Sequence, residues 1–97
     1  MRMLKVSIIT ASYNAAENIR QTIESVLSQD YPNLEYWVID GGSTDGTLDI
    51  LKEYEGKINY LSEKDSGIYD AINKGLARVT GDIIGYIGAD DFYPNPH

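Results

Sequence analysis

The sequence predicts an α/β fold: an open parallel sheet in βαβαβαβ order with helices on both faces. Three observations predict it. Four short runs of β-branched and aromatic residues alternate with three segments of helical periodicity. The first of those runs, VSIIT, is continuous rather than alternating, as in a central strand covered on both sides. The second ends on Asp40 and passes through Gly41 and Gly42 into a helix, which puts polar groups at the carboxyl end of a sheet.

The first strand is read at residues 6–10 and the loop after it at 11–14. Asn14 and Glu17 have the spacing of a capping box, with Asn in place of Ser or Thr. Ile19, Ile23, Val26 and Leu27 then recur on one helical face, so a helix is expected over 15–29. Pro32 closes that segment, because the residue before proline avoids helix. The second strand is expected at 34–40. Ser43, Thr44 and Asp45 can fold onto nearby amides or cap the next helix, residues 47–54, with Leu48, Leu51 and Tyr54 inward. Gly56 ends it. Residues 58–62 (INYLS) suit an edge strand, and 63–67 form a polar loop. Ile68, Ile72, Leu76 and Val79 are spaced as the inner face of a third helix, in which Gly75 suits close packing. After the turn Thr80-Gly81-Asp82, residues 83–87 (IIGYI) form the fourth strand, followed by Gly88-Ala89-Asp90-Asp91.

Composition narrows the partners. The 97 residues suffice for one domain, and the net charge of -7 argues against nucleic acid or an anionic membrane surface. An anionic ligand would need a compensating cation, with a divalent metal the natural choice. There is no cysteine, hence no disulfide or thiolate site. No apolar run approaches the roughly 20 residues of a membrane span. The start is too short in apolar residues for a signal peptide. A cytoplasmic location is the default expectation.

If all four strands are parallel, their following loops meet at one sheet edge. Those loops hold Tyr13 and Asn14, Asp40 to Thr44, Lys64 and Asp65, and Asp90 with Asp91. Adjacent carboxylates at a strand end repel unless a cation or a set of donors compensates, and Mg²⁺ or Mn²⁺ prefers such oxygen ligands. The plainer reading makes Asp90 and Asp91 turn and cap residues. Asp40 likewise either meets a ligand donor or organises the glycine turn. Tyr13 either stacks on a flat ligand or is an ordinary loop tyrosine. Lys74 either approaches a diphosphate or is a solvated surface lysine. GGSTDG lacks both the dinucleotide G-x-G-x-x-G spacing and the P-loop lysine. His97, the single histidine, lies at the terminus, and no Ser-His-Asp arrangement is present.

Taken together, VSIITASYN, VIDGGSTDGT, EKDSGIYDAINKG and GDIIGYIGADD resemble the nucleotide-sugar half of the family 2 glycosyltransferases, which have the A-type glycosyltransferase fold with a Rossmann-like half. The resemblance covers residues 6–93. It implies that Tyr13 sits beside the nucleobase, usually uracil, above a helix opened by Asn14, and that Asp40 hydrogen-bonds the base. Asp65 would lie in a loop lining the nucleotide pocket. Asp90 and Asp91 would contact the ribose and hold a Mn²⁺ or Mg²⁺ bridging the diphosphate of a UDP-sugar. The acidic motif, often D-x-D, reads Gly88-Ala89-Asp90 here, so the last acids must do that work. Members of the family continue into a half that supplies the acceptor site and the general base for inversion. The resemblance therefore implies a single donor-binding domain over 1–97, truncated at its C-terminal end and inactive in transfer by itself. Two alternatives come from other classes. A doubly wound signalling module of receiver type would need an acidic pair after the first strand, where Ala11-Ser12-Tyr13-Asn14 stands. An oligomerising unit would use apolar surface left uncovered on the fourth strand, and homo-oligomer formation is its expected sign.

Overall fold

The computed structural model of the chain describes residues 4–29, 33–64 and 67–88. Seven elements follow in the expected alternation: β1 Val6–Ser12, α1 Ile19–Leu27, β2 Leu34–Asp40, α2 Thr47–Glu53, β3 Asn59–Ser62, α3 Ile68–Leu76 and β4 Ile83–Tyr86. The strands form one sheet in the order β3-β2-β1-β4, and every pairing is parallel.

That order dictates which face each helix covers. The chain steps from β1 to β2 to β3 in one direction, then returns past β1 to place β4 on the far side. Right-handed crossovers put the helices of the first two steps on one face and the helix of the return step on the other. The two cores show this division. Ile8, Tyr36 and Val38 pack with Ile19, Ile23 and Val26 of α1 and Leu51 of α2. On the opposite face Ile9, Ala11 and Ile39 pack with Ala71 of α3. Strand residues i and i+1 thus feed different cores, which is why β1 reads as a continuous apolar run.

Three local expectations are corrected. β1 runs two residues beyond the expected end, because Ala11 and Ser12 continue the ladder opposite Ile39 and Asp40. The loop therefore starts at Tyr13. α1 begins at Ile19 instead of residue 15, and no side-chain capping bond forms at its start. Asn14 has a left-handed backbone (φ 50°), and its side chain bonds another loop, so it does not form a box with Glu17.

The third correction concerns the inner face of α3. Leu76 is 46% exposed, whereas Ala71 is fully buried. The helix meets the sheet along the line of Ala71 and Gly75, one turn apart. A Cβ built on Gly75 would stand 2.8 Å from Cγ2 of Ile9. Two small residues let the backbone approach β1 closely, and this rotates the bulkier Leu76 outward. Val79 packs against this core as expected.

β4 forms one edge of the sheet, and Ile83, Ile84, Tyr86 and Ile87 are exposed. β3 forms the other edge, as its alternating sequence suggested. Among the described residues no helix is long and apolar enough to cross a membrane.

Candidate functional site

Because all strands are parallel, their carboxyl ends share a rim, and three of the four tips are tied together there. In the sheet register Ser12, Asp40 and Ser62 lie in one row across β1, β2 and β3. Asp40 is fully buried at the middle of that row. Its Oδ1 accepts from the hydroxyls of Ser12 (2.8 Å) and Ser43 (2.5 Å). Its Oδ2 accepts from the hydroxyl of Ser62 (2.9 Å) and the amides of Gly42 (3.1 Å) and Ser43 (2.9 Å). These bonds occupy the roughly four acceptor sites of a carboxylate. Asp40 therefore organises the glycine turn and draws three strand ends together. Recognition of a base through the same oxygens requires one of these donors to be given up.

Around this hub the first two loops are laced to each other. The Asn14 amide donates to the Ser43 hydroxyl (2.7 Å), and the Thr44 amide donates to Asn14 Oδ1 (2.8 Å). The amides of Ala15 and Ala16 donate to Thr47 Oγ1 (3.0 Å) and Asp45 Oδ2 (3.1 Å). Backbone donors left open ahead of a helix need partners. Here the partners come from a loop about 30 residues further along the chain. Asp45 also accepts from the amide and hydroxyl of Thr47. Burial alone would push its carboxyl up, but these hydrogen bonds outweigh it and hold Asp45 below the ordinary range.

The third tip joins through the main chain. The Glu63 amide donates to the Asp40 carbonyl at 3.0 Å. Gly42, with φ +86°, lies so close that a Cβ there would stand 3.4 Å from the Lys64 nitrogen. Only glycine adopts such a φ without strain while leaving room for that backbone. Lys74, on α3, donates to the Lys64 carbonyl (2.9 Å) and pairs with Glu63 (3.0 Å) and Asp70 (3.6 Å). It is a bracing residue of the rim, which neither earlier reading of this lysine foresaw. The fourth tip arrives beside β1, where the Ile87 amide donates to the Ile9 carbonyl.

Tyr13 stands at the end of β1 with 40% of its surface exposed. It is next to the point where strand order reverses, between β1 and β4, the position at which open α/β sheets hold ligands. Tyr13, Asn14 and Asp40 thus lie on one rim. Asp65, Asp90 and Asp91 lie outside the described residues. Among the described residues there is no group of three or more His, Cys, Asp or Glu side chains able to hold a metal ion. Ser12 and Ser62 were missed by sequence reasoning, whereas Ser43 was read as folding onto nearby amides and does so at Asn14. The place of Ser12 and Ser62 emerges only from the strand register, in which β1 and β3 both end on serine in the row of Asp40.

A second polar cluster closes the opposite edge of the sheet. Glu35 accepts from Ser7 (2.8 Å), the Thr80 amide (2.8 Å) and the Trp37 indole (3.3 Å), with Lys5 at 3.7 Å. Burial tends to raise the Glu35 carboxyl, but the donors from Thr80, Ser7 and Trp37, with the Lys5 charge, hold it below the ordinary value. This cluster fastens the turn before β4 to β1 and β2. Deeper in the sheet, burial pushes the Tyr36 hydroxyl up to about 12, and that hydroxyl bonds Thr10 Oγ1 at 2.8 Å.

Comparison with known proteins agrees with this geometry. The family described as Glycosyl transferase family 2 matches residues 7–97. TuaG of Bacillus subtilis, named as a teichuronic acid biosynthesis glycosyltransferase, is 46% identical over 92 residues, covering 89% of this chain and 36% of TuaG. The mannosyltransferase PcManGT of Pyrobaculum calidifontis, solved with GDP-Man and Mn²⁺, superimposes with a TM-score of 0.84 at 30% identity, over 93% of this chain and 28% of that one. S. aureus TarS 1–349 in complex with UDP-GlcNAc gives 0.79 at 30% identity, over 90% of this chain and 27% of that one. The chain spans about a third of the length of curated relatives such as TuaG. A family match over nearly the whole chain, with superposition on solved glycosyltransferases at 30% identity, has one meaning: this protein belongs to glycosyl transferase family 2.

Proposed function

We propose that the protein is the donor-binding portion of a glycosyltransferase acting on a nucleotide-diphosphate sugar, UDP-linked in the first instance. The whole enzyme would transfer the sugar to an acceptor hydroxyl with inversion. The observation that carries this reading is the rim itself. Asp40 gathers the tips of β1, β2 and β3, and β4 arrives beside β1, so one crevice is framed at the reversal of strand order. The likeness to TarS, bound to UDP-GlcNAc, and to PcManGT, bound to GDP-Man and Mn²⁺, supports a nucleotide sugar as the ligand of that crevice.

On this reading Tyr13 offers its ring to the base. Asn14 and Asp40 hold the loops that surround it, and Asp65 would contribute to the nucleotide pocket. Asp90 and Asp91 follow the end of β4 and would hold a Mn²⁺ or Mg²⁺, since Gly88 supplies no side-chain oxygen. A divalent ion there would supply Lewis-acid stabilisation for the departing nucleoside diphosphate. It would also offset the repulsion between an anionic ligand and a protein of net charge -7.

Calorimetric titration with UDP and GDP, with and without Mn²⁺, tests the reading. One nucleotide should bind in a Mn²⁺-dependent manner, and Asp90→Ala should abolish that dependence. Binding that is indifferent to both the metal and the substitution would refute the metal role. Absence of binding to either nucleotide would refute the donor-site reading.

A further inference from the structure

We infer that Lys74 is a positioning residue for the donor site. It fixes the β3 corner of the rim from the α3 face of the sheet and so sets nucleotide affinity without touching the nucleotide. The inference rests on the nucleotide-sugar reading above and adds to it a residue outside the ligand-lining loops.

Its basis is the way residues 63 and 64 are held. The Glu63 amide is bound to the Asp40 carbonyl, and the Lys64 backbone lies against Gly42. Both of these restraints come from β2 and its glycine turn. Among the described residues, the restraint from the other side is Lys74, whose Nζ donates to the Lys64 carbonyl at 2.9 Å while pairing with the Glu63 carboxylate at 3.0 Å. The Lys74 side chain is only 18% exposed, whereas surface lysines keep their ammonium in water. A charged donor on a main-chain carbonyl is stronger than a neutral hydrogen bond, and it fixes backbone position. Among the described residues, the Lys74 ammonium donates to the Lys64 carbonyl, pairs closely with Glu63 and has the Asp70 carboxylate nearby at 3.6 Å. Engaged in this way, Lys74 holds the loop and does not reach for a phosphate.

A direct phosphate contact and a positioning role differ in what they do to a ligand without phosphates. The test uses Lys74→Met, with Lys74→Gln as the substitute if the first does not fold, as judged by thermal melting. Nuclear magnetic resonance titration measures the affinity for whichever of UDP and GDP the unsubstituted protein takes up, and for the matching nucleoside. Hydrogen exchange at the Glu63 amide is read in parallel. Positioning predicts that nucleoside and nucleotide weaken by the same factor, roughly tenfold, with faster exchange at Glu63. Loss of nucleotide affinity with the nucleoside unchanged would instead mean phosphate contact and overturn the inference. Unchanged affinity for both would overturn it as well. If the unsubstituted protein binds neither ligand, the nucleotide-sugar reading fails. Exchange at Glu63 then decides alone: unchanged exchange in the variant overturns the anchoring by Lys74.

Discussion

At the scale of single residues, the chemistry of the rim depends on one buried carboxylate. Asp40, at the end of β2, accepts hydrogen bonds from the ends of the two flanking strands and from the glycine turn, so replacing either of its oxygens leaves donors unpaired. Asp40→Asn is isosteric but replaces an acceptor oxygen with a donor. It should cost about 3 kcal/mol in a urea unfolding titration. A loss under about 0.5 kcal/mol, the range of ordinary surface substitutions, would show that the network is not cooperative. Glu35 governs the opposite edge. Its folded carboxyl is held below the ordinary glutamate value, so it contributes stability at pH above its unfolded pKa. That contribution is lost as pH falls through the folded value. The midpoint of thermal unfolding should therefore drop on acidification, and Glu35→Gln should flatten that part of the profile. The sequence displayed Asp40 and its glycines plainly, because a carboxylate followed by Gly-Gly has few other uses. It did not display the serines on the flanking strands. A serine carries no periodic signal, and only the parallel register reveals that Ser12 and Ser62 flank Asp40.

At the scale of elements, strand and helix identities were legible because the apolar runs are short, β-branched and separated by clear turns. The second strand was read with its observed bounds, residues 34–40. The start of α1 was not legible. Local spacing suggested that Asn14 caps its own helix, but Asn14 bonds Thr44, and the amides of residues 14–16 are satisfied by Ser43, Thr47 and Asp45. Capping across loops leaves no signature within a window of a few residues. The inner face of α3 was misread for a related reason. Hydrophobic spacing favours the large residues, while the closest approach runs through Ala71 and Gly75. This yields a prediction opposite in sign to helix propensity. Gly75→Ala would gain about 1 kcal/mol of propensity in an exposed helix. Here the added methyl meets Ile9, and overpacking of this kind costs about 1–3 kcal/mol. Chemical denaturation should show net destabilisation, and a stabilised variant would mean that Ile9 yields freely.

At the scale of the whole molecule, alternation of strand and helix was enough to predict a parallel sheet and a single rim. The lateral order β3-β2-β1-β4 was not readable, since alternation fixes direction without fixing neighbours. That order matters for function, because among the described residues it sets α3 alone on one face and puts the reversal of strand order between the tips of β1 and β4. Of the residues assigned to the site from sequence, Tyr13, Asn14 and Asp40 meet at this rim, and Asp65, Asp90 and Asp91 follow it along the chain. The most direct measurement is an amide chemical-shift map of the protein titrated with UDP, and separately with GDP, in the presence of Mg²⁺. The shifts should concentrate at residues 13–16, 41–45, 63–64 and 88, on the carboxyl rim. Shifts centred on Lys5, Ser7 and residues 80–82, at the amino edge of the sheet, would contradict a nucleotide site at the strand tips.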